Sequence, residues 1–339
     1  MAKTKVAING FGRIGRAFLK GSWDSGEIEV VAVNDLGNVE NMAYLLKYDT
    51  VYKNWNHDVK VEGGNLVIDG RTVKFVSEKE PTKLPWGELG VDVVVESTGL
   101  FTDFEKAAVH IQAGAKKVVI SAPAKGGEGK GETILMGVNE EKFGTCDVTS
   151  NASCTTNAAS PLIAILDENF GIEKAILNTV HGYTASQALV DGPSKKDLRE
   201  GRAAAQNIVP SSTGAAIAVT KAFTSLEGLF DGISIRVPVP AGSIVDVTFI
   251  SKKNTTAEEV NNTLREAAKQ ERWKDIFSAT DEELVSSDIL GSHFGSIADL
   301  KMTRVVGGNL VKVMAWYDNE AGYTHTLIDH VIKTSKTIK

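Results

Sequence analysis

A chain of 339 residues is long enough for two domains, each with an ample core. Hydrophobic residues at 42% and charged residues at 24% exclude a disordered or low-complexity chain, and no run approaches the roughly 20 apolar residues of a membrane helix. A net charge of -6, with dispersed basic residues, argues against a nucleic-acid surface. The two cysteines, Cys146 and Cys154, give neither a disulfide framework nor a metal-ligand spacing, so no metal site is expected. With no apolar signal core at the N-terminus, a reducing, cytoplasmic setting is expected.

The stretch "KVAINGFGRIGRAFLKGSW" reads as an apolar strand over Val6 to Ile8, a glycine turn, and a helix carrying Ile14, Ala17 and Phe18 at helical spacing. Gly10, Gly12 and Gly15 make a GxGxxG pattern. The first glycine turns the chain, the second lets a pyrophosphate approach the backbone, and the third lets helix and strand pack closely. The helix start then offers free N–H groups and a positive dipole end to phosphates. A second strand, "EVVAVND", ends in Asp35, 20 residues after Gly15, where a carboxylate can accept from the adenosine ribose hydroxyls. The alternative for Asp35 is a solvated strand-end turn. Facing the 2′ position it would repel a 2′-phosphate, so NAD is expected over NADP.

"VDVVVESTG" (91–99) and "KVVISAPA" (117–124) are continuous apolar strands, as parallel strands buried on both faces should be. Between them "DFEKAAVHIQAGA" reads as a helix ending in glycine. A doubly wound sheet holds its ligand beyond the carboxyl ends of its strands, so Thr98 and Ser121 are expected beside the cofactor.

In the second half, Cys154 lies in "SNASCTTN" and is followed by Leu162, Ile165 and Leu166 at helical spacing. The thiol is therefore expected at or just before a helix start, with Ser153 or Thr155 near the cap and the thiol pKa lowered. Pro161 is expected to kink or restart that helix. Cys146 reads as an inert thiol, whereas the hydroxyls and amides around Cys154 suit an open, polar site that still needs a base. Of the 6 histidines, His181 ends an apolar strand, "KAILNTVHGYT", and is either that base or a hydrogen-bonded structural residue. His57, His110, His293, His325 and His330 lie in charged or exposed-looking surroundings. Arg236, inside the apolar run "GISIRVPVP", requires a carboxylate or phosphate partner. Thr184 and "PSSTGAA" (210–216) add further anion-binding groups.

Together "INGFGRIGR", "SNASCTTN", "TVHGYTASQALVDGP", "QNIVPSSTGAA", "ISIRVPVP" and "WYDNEAGY" closely resemble the phosphorylating glyceraldehyde-3-phosphate dehydrogenase family, in order along essentially the whole chain. The resemblance implies an α/β protein with a Rossmann-type doubly wound parallel domain, residues 1–153 with 319–339. It also implies an α+β catalytic domain, residues 154–318, with a large mixed or antiparallel sheet. NAD is the implied cofactor, surrounded by Asn9, Gly10, Gly12, Arg13, Ile14, Asp35, Lys79, Thr98, Ser121 and Asn319. Cys154 is implied as the nucleophile that forms a thiohemiacetal and then a thioester, with His181 activating it. By the same resemblance Thr184 and Arg236 hold the phosphate of glyceraldehyde 3-phosphate. Ser153, Thr155, Thr213 and Gly214 serve the attacking inorganic phosphate, and Arg202 joins this phosphate-binding set. A long S-shaped loop over about 182–207, lying against a neighbouring subunit's cofactor, and a homotetramer are implied as well.

Two other readings share these features. Erythrose-4-phosphate dehydrogenase has the same cysteine and histidine but hydrolyses its thioester; the intact "SSTGA" favours phosphorolysis. A non-catalytic NAD-dependent binding protein is disfavoured by Cys154 and His181 occurring together. The departures from the family pattern are "YDTVYKNW" (48–55), Lys79 in place of a frequent arginine, a longer "AKGGEGKGET" (124–133), and Ala321 and His325 after "WYDNE". They are expected to affect affinity on the adenosine side more than reaction type.

Overall fold

The computed structural model describes residues 3–126, 129–194 and 197–338, so two positions of the 124–133 stretch and two of the 182–207 loop lie outside it. The chain forms two compact units. The first runs to Ile134, adds Glu140–Ala152 and resumes at Thr324; the second comprises Leu135–Asn139 and Ser153–Tyr323.

The first unit is built on a nine-stranded sheet. Its strands are β1 (Thr4–Asn9), β2 (Ile28–Asn34), β5 (Val59–Glu62), β6 (Asn65–Ile68), β7 (Arg71–Val76), β8 (Val93–Glu96), β9 (Lys117–Ile120), β10 (Glu132–Thr133) and β11 (Val148–Ser150). A separate ribbon pairs β3 (Tyr48–Asp49) with β4 (Lys53–Asn54). The order is β10-β11-β9-β8-β1-β2-β7-β6-β5. Every pairing from β10 to β7 is parallel, and β6 and β5 close one edge as an antiparallel meander. Val93, Val94, Val95, Val118, Val119 and Ile120 are fully buried, which accounts for the unbroken apolar runs in the central strands.

Helix α1 (Arg13–Ser22) follows the glycine turn, and α2 (Val39–Lys47) starts at Asn38, whose side chain accepts from the N–H of Asn41. The single helix expected in "DFEKAAVHIQAGA" is instead two short pieces, α3 (Phe104–Ala107) and α4 (Val109–Gln112). The break falls at Ala108, and the chain leaves through Gly114 at φ +99°.

The second unit holds a seven-stranded mixed sheet. Its strands are β12 (Ile172–Gly182), β13 (Val209–Ser212), β14 (Phe230–Val237), β15 (Ser243–Ser251), β16 (Phe277–Thr280), β17 (Ser296–Val306) and β18 (Leu310–Tyr317), in the order β13-β14-β12-β15-β18-β17-β16. Helices α5 (Cys154–Phe170), α6 (Ala215–Thr220) and α7 (Ala257–Ala267) belong to this unit, and α8 (Ala321–Ser335) leads back to the first. The parallel register of β12 with β14 sets His181 opposite Arg236, which fixes a base and a cation side by side at one sheet end.

Contrary to expectation, α5 runs through Pro161 without restarting. An interior proline costs about 3 kcal/mol. Here every residue from Thr155 to Leu166 is buried, and apolar burial on that scale outweighs the penalty.

Candidate active site

At the carboxyl ends of β1, β2 and β8 and just beyond β7 lies a cleft of about 520 Å³, lined by Asn9, Gly10, Gly12, Asp35, Lys79, Thr98 and neighbours. The three glycines act as their spacing implies. A Cβ on Gly10 would come within 2.7 Å of the Ser97 carbonyl carbon, and one on Gly15 within 2.2 Å of the Gly10 carbonyl oxygen. Gly12 opens onto free space, and α1 starts there with no side-chain cap and no acidic residue in its first turn. These backbone groups fit a dinucleotide pyrophosphate. Asp35 is held by two backbone donors, Phe11 N–H on Oδ2 and Gly37 N–H on Oδ1, both at 2.7 Å, leaving a lone pair on each oxygen for a ribose.

Arg13, Ile14 and Ser121 do not line this cleft. The Arg13 guanidinium reaches Asp49 at 2.6 Å. Burial opposes ionisation of Asp49, but the Tyr52 N–H and Arg13 hold its carboxyl below the usual value. Ser121 donates its hydroxyl to the Glu96 carbonyl at 3.0 Å.

In the second unit, Ser153 caps α5, its hydroxyl accepting from Thr156 N–H at 3.0 Å, and Cys154 is the first helical residue. The chain enters this cap from Ala152, a buried non-glycine residue in the left-handed region at φ 56°. Cys154 Sγ lies 3.4 Å from His181 Nε2. On the far side of the ring, Nδ1 is 2.6 Å from the Gly182 carbonyl and 2.6 Å from Arg236 Nη1. The carbonyl demands a proton on Nδ1 and the guanidinium demands a lone pair. One tautomer cannot satisfy both contacts. With Nδ1–H on Gly182, Nε2 carries the lone pair and is free to accept the thiol proton.

Burial pushes the Cys154 thiol above its ordinary value, while the Arg236 charge and the Thr155 N–H pull it back. The lowering expected from a helix start is therefore present but outweighed by desolvation. Burial, reinforced by Arg236, depresses His181 to about 3, so its resting form is neutral. Cys146 is a half-buried thiol whose Sγ lies 3.2 Å from the Val148 carbonyl, and burial pushes it up as well.

Arg236 makes no ion pair among the described residues, and its buried Nε has no hydrogen-bond partner. A half-buried guanidinium with an orphaned donor is suited to an oxyanion. The Thr184 hydroxyl contacts Ser186 at 3.1 Å, and Thr213 precedes the exposed Gly214 that opens α6. The Thr155 hydroxyl points inward to Tyr317, at 2.9 Å. Arg202 is exposed and paired with Asp191 at 2.8 Å. Asn319 Oδ1 accepts from Gly242 N–H and Ser243 Oγ, each at 3.0 Å, which orients its amide nitrogen away from them.

Four buried polar residues escape a reading of the sequence alone. Tyr317 bridges Thr155 and Thr179 from beneath and sets its ring edge-on to His181 at 5.9 Å. Burial above all raises its phenol well beyond the ordinary value. His110 and His330, expected in charged or exposed surroundings, are fully buried, each on the inward face of its helix. Glu96 is a charged residue adjoining an apolar run, a signal akin to the one that singles out Arg236. Among the described residues no His, Cys, Asp and Glu group is placed to hold a metal, and no helix is long and apolar enough to cross a membrane.

A dinucleotide cradle on a doubly wound sheet and a cysteine–histidine pair on a mixed sheet define a dehydrogenase that works through a thiol. Residues 4–104 match the glyceraldehyde 3-phosphate dehydrogenase NAD binding domain, and residues 153–319 match the C-terminal domain of the same family. The chain is 49% identical over 327 residues to glyceraldehyde-3-phosphate dehydrogenase of Geobacillus stearothermophilus, covering 96% of each chain. It is 48% identical over 326 residues to glyceraldehyde-3-phosphate dehydrogenase B of Aspergillus oryzae, again covering 96% of each. With the chloroplastic glyceraldehyde-3-phosphate dehydrogenase A of Zea mays it shares 48% over 333 residues, 97% of this chain and 81% of the relative. The chain belongs to the glyceraldehyde-3-phosphate dehydrogenase family, and its cofactor is NAD.

Proposed function

We propose that this chain catalyses the phosphorylating oxidation of D-glyceraldehyde 3-phosphate to 1,3-bisphosphoglycerate with reduction of NAD, through covalent intermediates on Cys154. The observation that carries this is the 3.4 Å approach of Cys154 Sγ to His181 Nε2 at the start of α5. Attack of the sulfur on the aldehyde carbon forms a C–S bond, and the carbonyl oxygen takes the proton relayed by His181 Nε2, giving a thiohemiacetal. NAD, when bound, supplies the acceptor for the hydride that leaves this carbon. His181 Nε2 removes the hydroxyl proton as the carbonyl reforms, leaving a thioester on Cys154. An oxygen of inorganic phosphate attacks that carbonyl, the C–S bond breaks, and the sulfur departs as thiolate. A thioester retains energy of oxidation that an oxygen ester would hold less well, which is the reason for sulfur at position 154.

In this reading the nucleotide-binding residues are Asn9, Gly10, Gly12, Arg13, Ile14, Asp35, Lys79, Thr98, Ser121 and Asn319. The second unit does the chemistry. Thr184 and Arg236 take the substrate phosphate, supported by the orphaned Arg236 Nε. Ser153, Thr155, Thr213 and Gly214 serve inorganic phosphate, and Arg202 belongs to the same set. A homotetramer in the cytoplasm is part of the proposal. Leu189, Val190 and Leu198 on the 182–207 loop are 79%, 72% and 85% exposed, which favours burial against further copies.

The test is NADH formation from glyceraldehyde 3-phosphate and NAD with and without inorganic phosphate. Turnover that requires phosphate or arsenate supports the proposal; phosphate-independent turnover means hydrolysis of the thioester instead.

A further inference from the structure

Glu96 is the least expected charge in the first unit: it follows three fully buried valines in β8 and is itself only 2% exposed. Four donors converge on its two oxygens. Oε1 accepts the N–H of Thr98 at 2.8 Å and the Thr98 hydroxyl, which is free to donate because its own oxygen accepts from Leu100 N–H. Oε2 accepts from Asn9 Nδ2 at 2.6 Å and from His110 Nε2 at 3.0 Å. The histidine tautomer follows from its other neighbour. Trp86 Nε1–H, 3.2 Å from His110 Nδ1, can only donate, so Nδ1 carries the lone pair and the ring proton on Nε2 is aimed at Glu96. An ionised carboxylate has about four acceptor sites, and all four are filled. Among the described residues no lysine or arginine pairs with it.

A buried anion without a cation costs folding free energy, so the benefit should be sought in what it holds. Asn9 and Thr98 both line the dinucleotide cleft. Asn9 Oδ1 accepts from Asn34 Nδ2 at 2.7 Å. Asn34 grips the Glu78 backbone in both directions, accepting its N–H at 2.9 Å and donating to its carbonyl at 3.0 Å. Trp86, His110, Glu96, Asn9, Asn34 and Glu78 thus form one hydrogen-bonded chain that laces together the ends of β8, β1 and β2 and the segment beyond β7.

We propose that Glu96 is a positioning residue for the dinucleotide: it never touches the cofactor but sets the cleft wall through Thr98 and Asn9, and the His110–Trp86 pair holds it in place. This rests on the cleft being the NAD site. Nor is Glu96 replaceable by an isostere. A glutamine keeps the size but offers one acceptor oxygen and an NH₂ group that must face another donor.

The experiment compares the parent with Glu96→Gln. A lost hydrogen bond to a charged group, with a donor left opposed, should raise both KM and Kd for NAD about tenfold. At saturating NAD, kcat should stay within about twofold, and iodoacetamide labelling of Cys154 without NAD should keep its rate, since neither reads cleft affinity. A purely structural role predicts a lower Tm with KM for NAD unmoved, and that result overturns the proposal. Should Glu96→Gln fail to fold, Trp86→Phe decides. It removes the indole N–H together with part of a fully buried ring, a packing loss that a lower Tm reports separately, and frees Nδ1 to take the ring proton away from Glu96, so KM for NAD should rise about threefold with kcat unchanged; an unmoved KM overturns the proposal. A parent enzyme that neither binds NAD nor turns over would refute the cleft assignment itself, a result distinct from normal turnover with an insensitive Glu96→Gln.

Discussion

Cys154 and His181, from the first turn of a helix and the last residues of a strand, bring sulfur and Nε2 to 3.4 Å. Replacing the thiol with a hydroxyl leaves the geometry but not the nucleophile. Cys154→Ser should lose about 10³-fold or more in kcat, while NAD affinity by fluorescence titration stays within about twofold. His181→Asn should lose about 10²- to 10⁴-fold, as expected for a general acid–base. Retention of a tenth of parental turnover by either variant would remove covalent catalysis by this pair.

The Arg236 charge draws the thiol downward against the effect of burial. Arg236→Gln should therefore shift the pH dependence of iodoacetamide labelling to higher pH, slowing the reaction several-fold near pH 7 while leaving the high-pH plateau intact. It should also weaken glyceraldehyde 3-phosphate, seen as a raised KM. Labelling at the parental rate across the whole pH range would mean that the guanidinium does not act on the sulfur.

His330 offers a test of linkage. Burial, with Lys333 adding to it, depresses its pKa to about 3. The unfolded chain, with its histidine near the ordinary 6.5, binds the extra proton between about pH 3 and 6.5, so stability is lost as pH falls through that window. His181 behaves in the same direction. Denaturant titrations at pH 6.5 and 4.5 should show His330→Gln losing about 2 kcal/mol less than the parent across the interval. An equal loss in both proteins would show that His330 takes up no proton on unfolding.

Asp35 presents its carboxylate at the cleft on two backbone N–H groups. The parent should prefer NAD to NADP by about tenfold or more in kcat/KM, because a 2′-phosphate would meet like charge. Asp35→Asn should narrow that ratio, chiefly by worsening NAD, whose ribose hydroxyls lose an ionised acceptor. A ratio unaffected by the substitution would place the ribose elsewhere.

Much of this was legible in the residues themselves. The GxGxxG spacing, continuous valine-rich strands and strand-end Asp35 identify the doubly wound sheet, and "SNASCTTN" identifies the nucleophile, because each encodes a local constraint. What escaped was non-local. Pro161 promised a broken helix, but the burial that overrides it comes from strands far along the chain. The antiparallel meander at the sheet edge is carried by strands of four residues, which alternate in burial but are too short to stand out as a pattern. The burial of His110 and His330 is set by which face of the helix packs inward, which a histidine's own sequence does not reveal. The thiol pKa was misjudged for a related reason: the helix start is visible in sequence, but the depth at which the sulfur is buried is not.

Ala152 stands immediately before the capping serine, fully buried and with a φ of 56°. β-Branched and bulky residues are rare outliers at such a dihedral, and the asparagine or aspartate that would tolerate it carries a polar group with no water to meet. The mutational repertoire at this position is thus narrowed to alanine and glycine. In a saturation library scored for growth or turnover, position 152 should be nearly as intolerant as the nucleophile two places on, although it has no chemistry of its own.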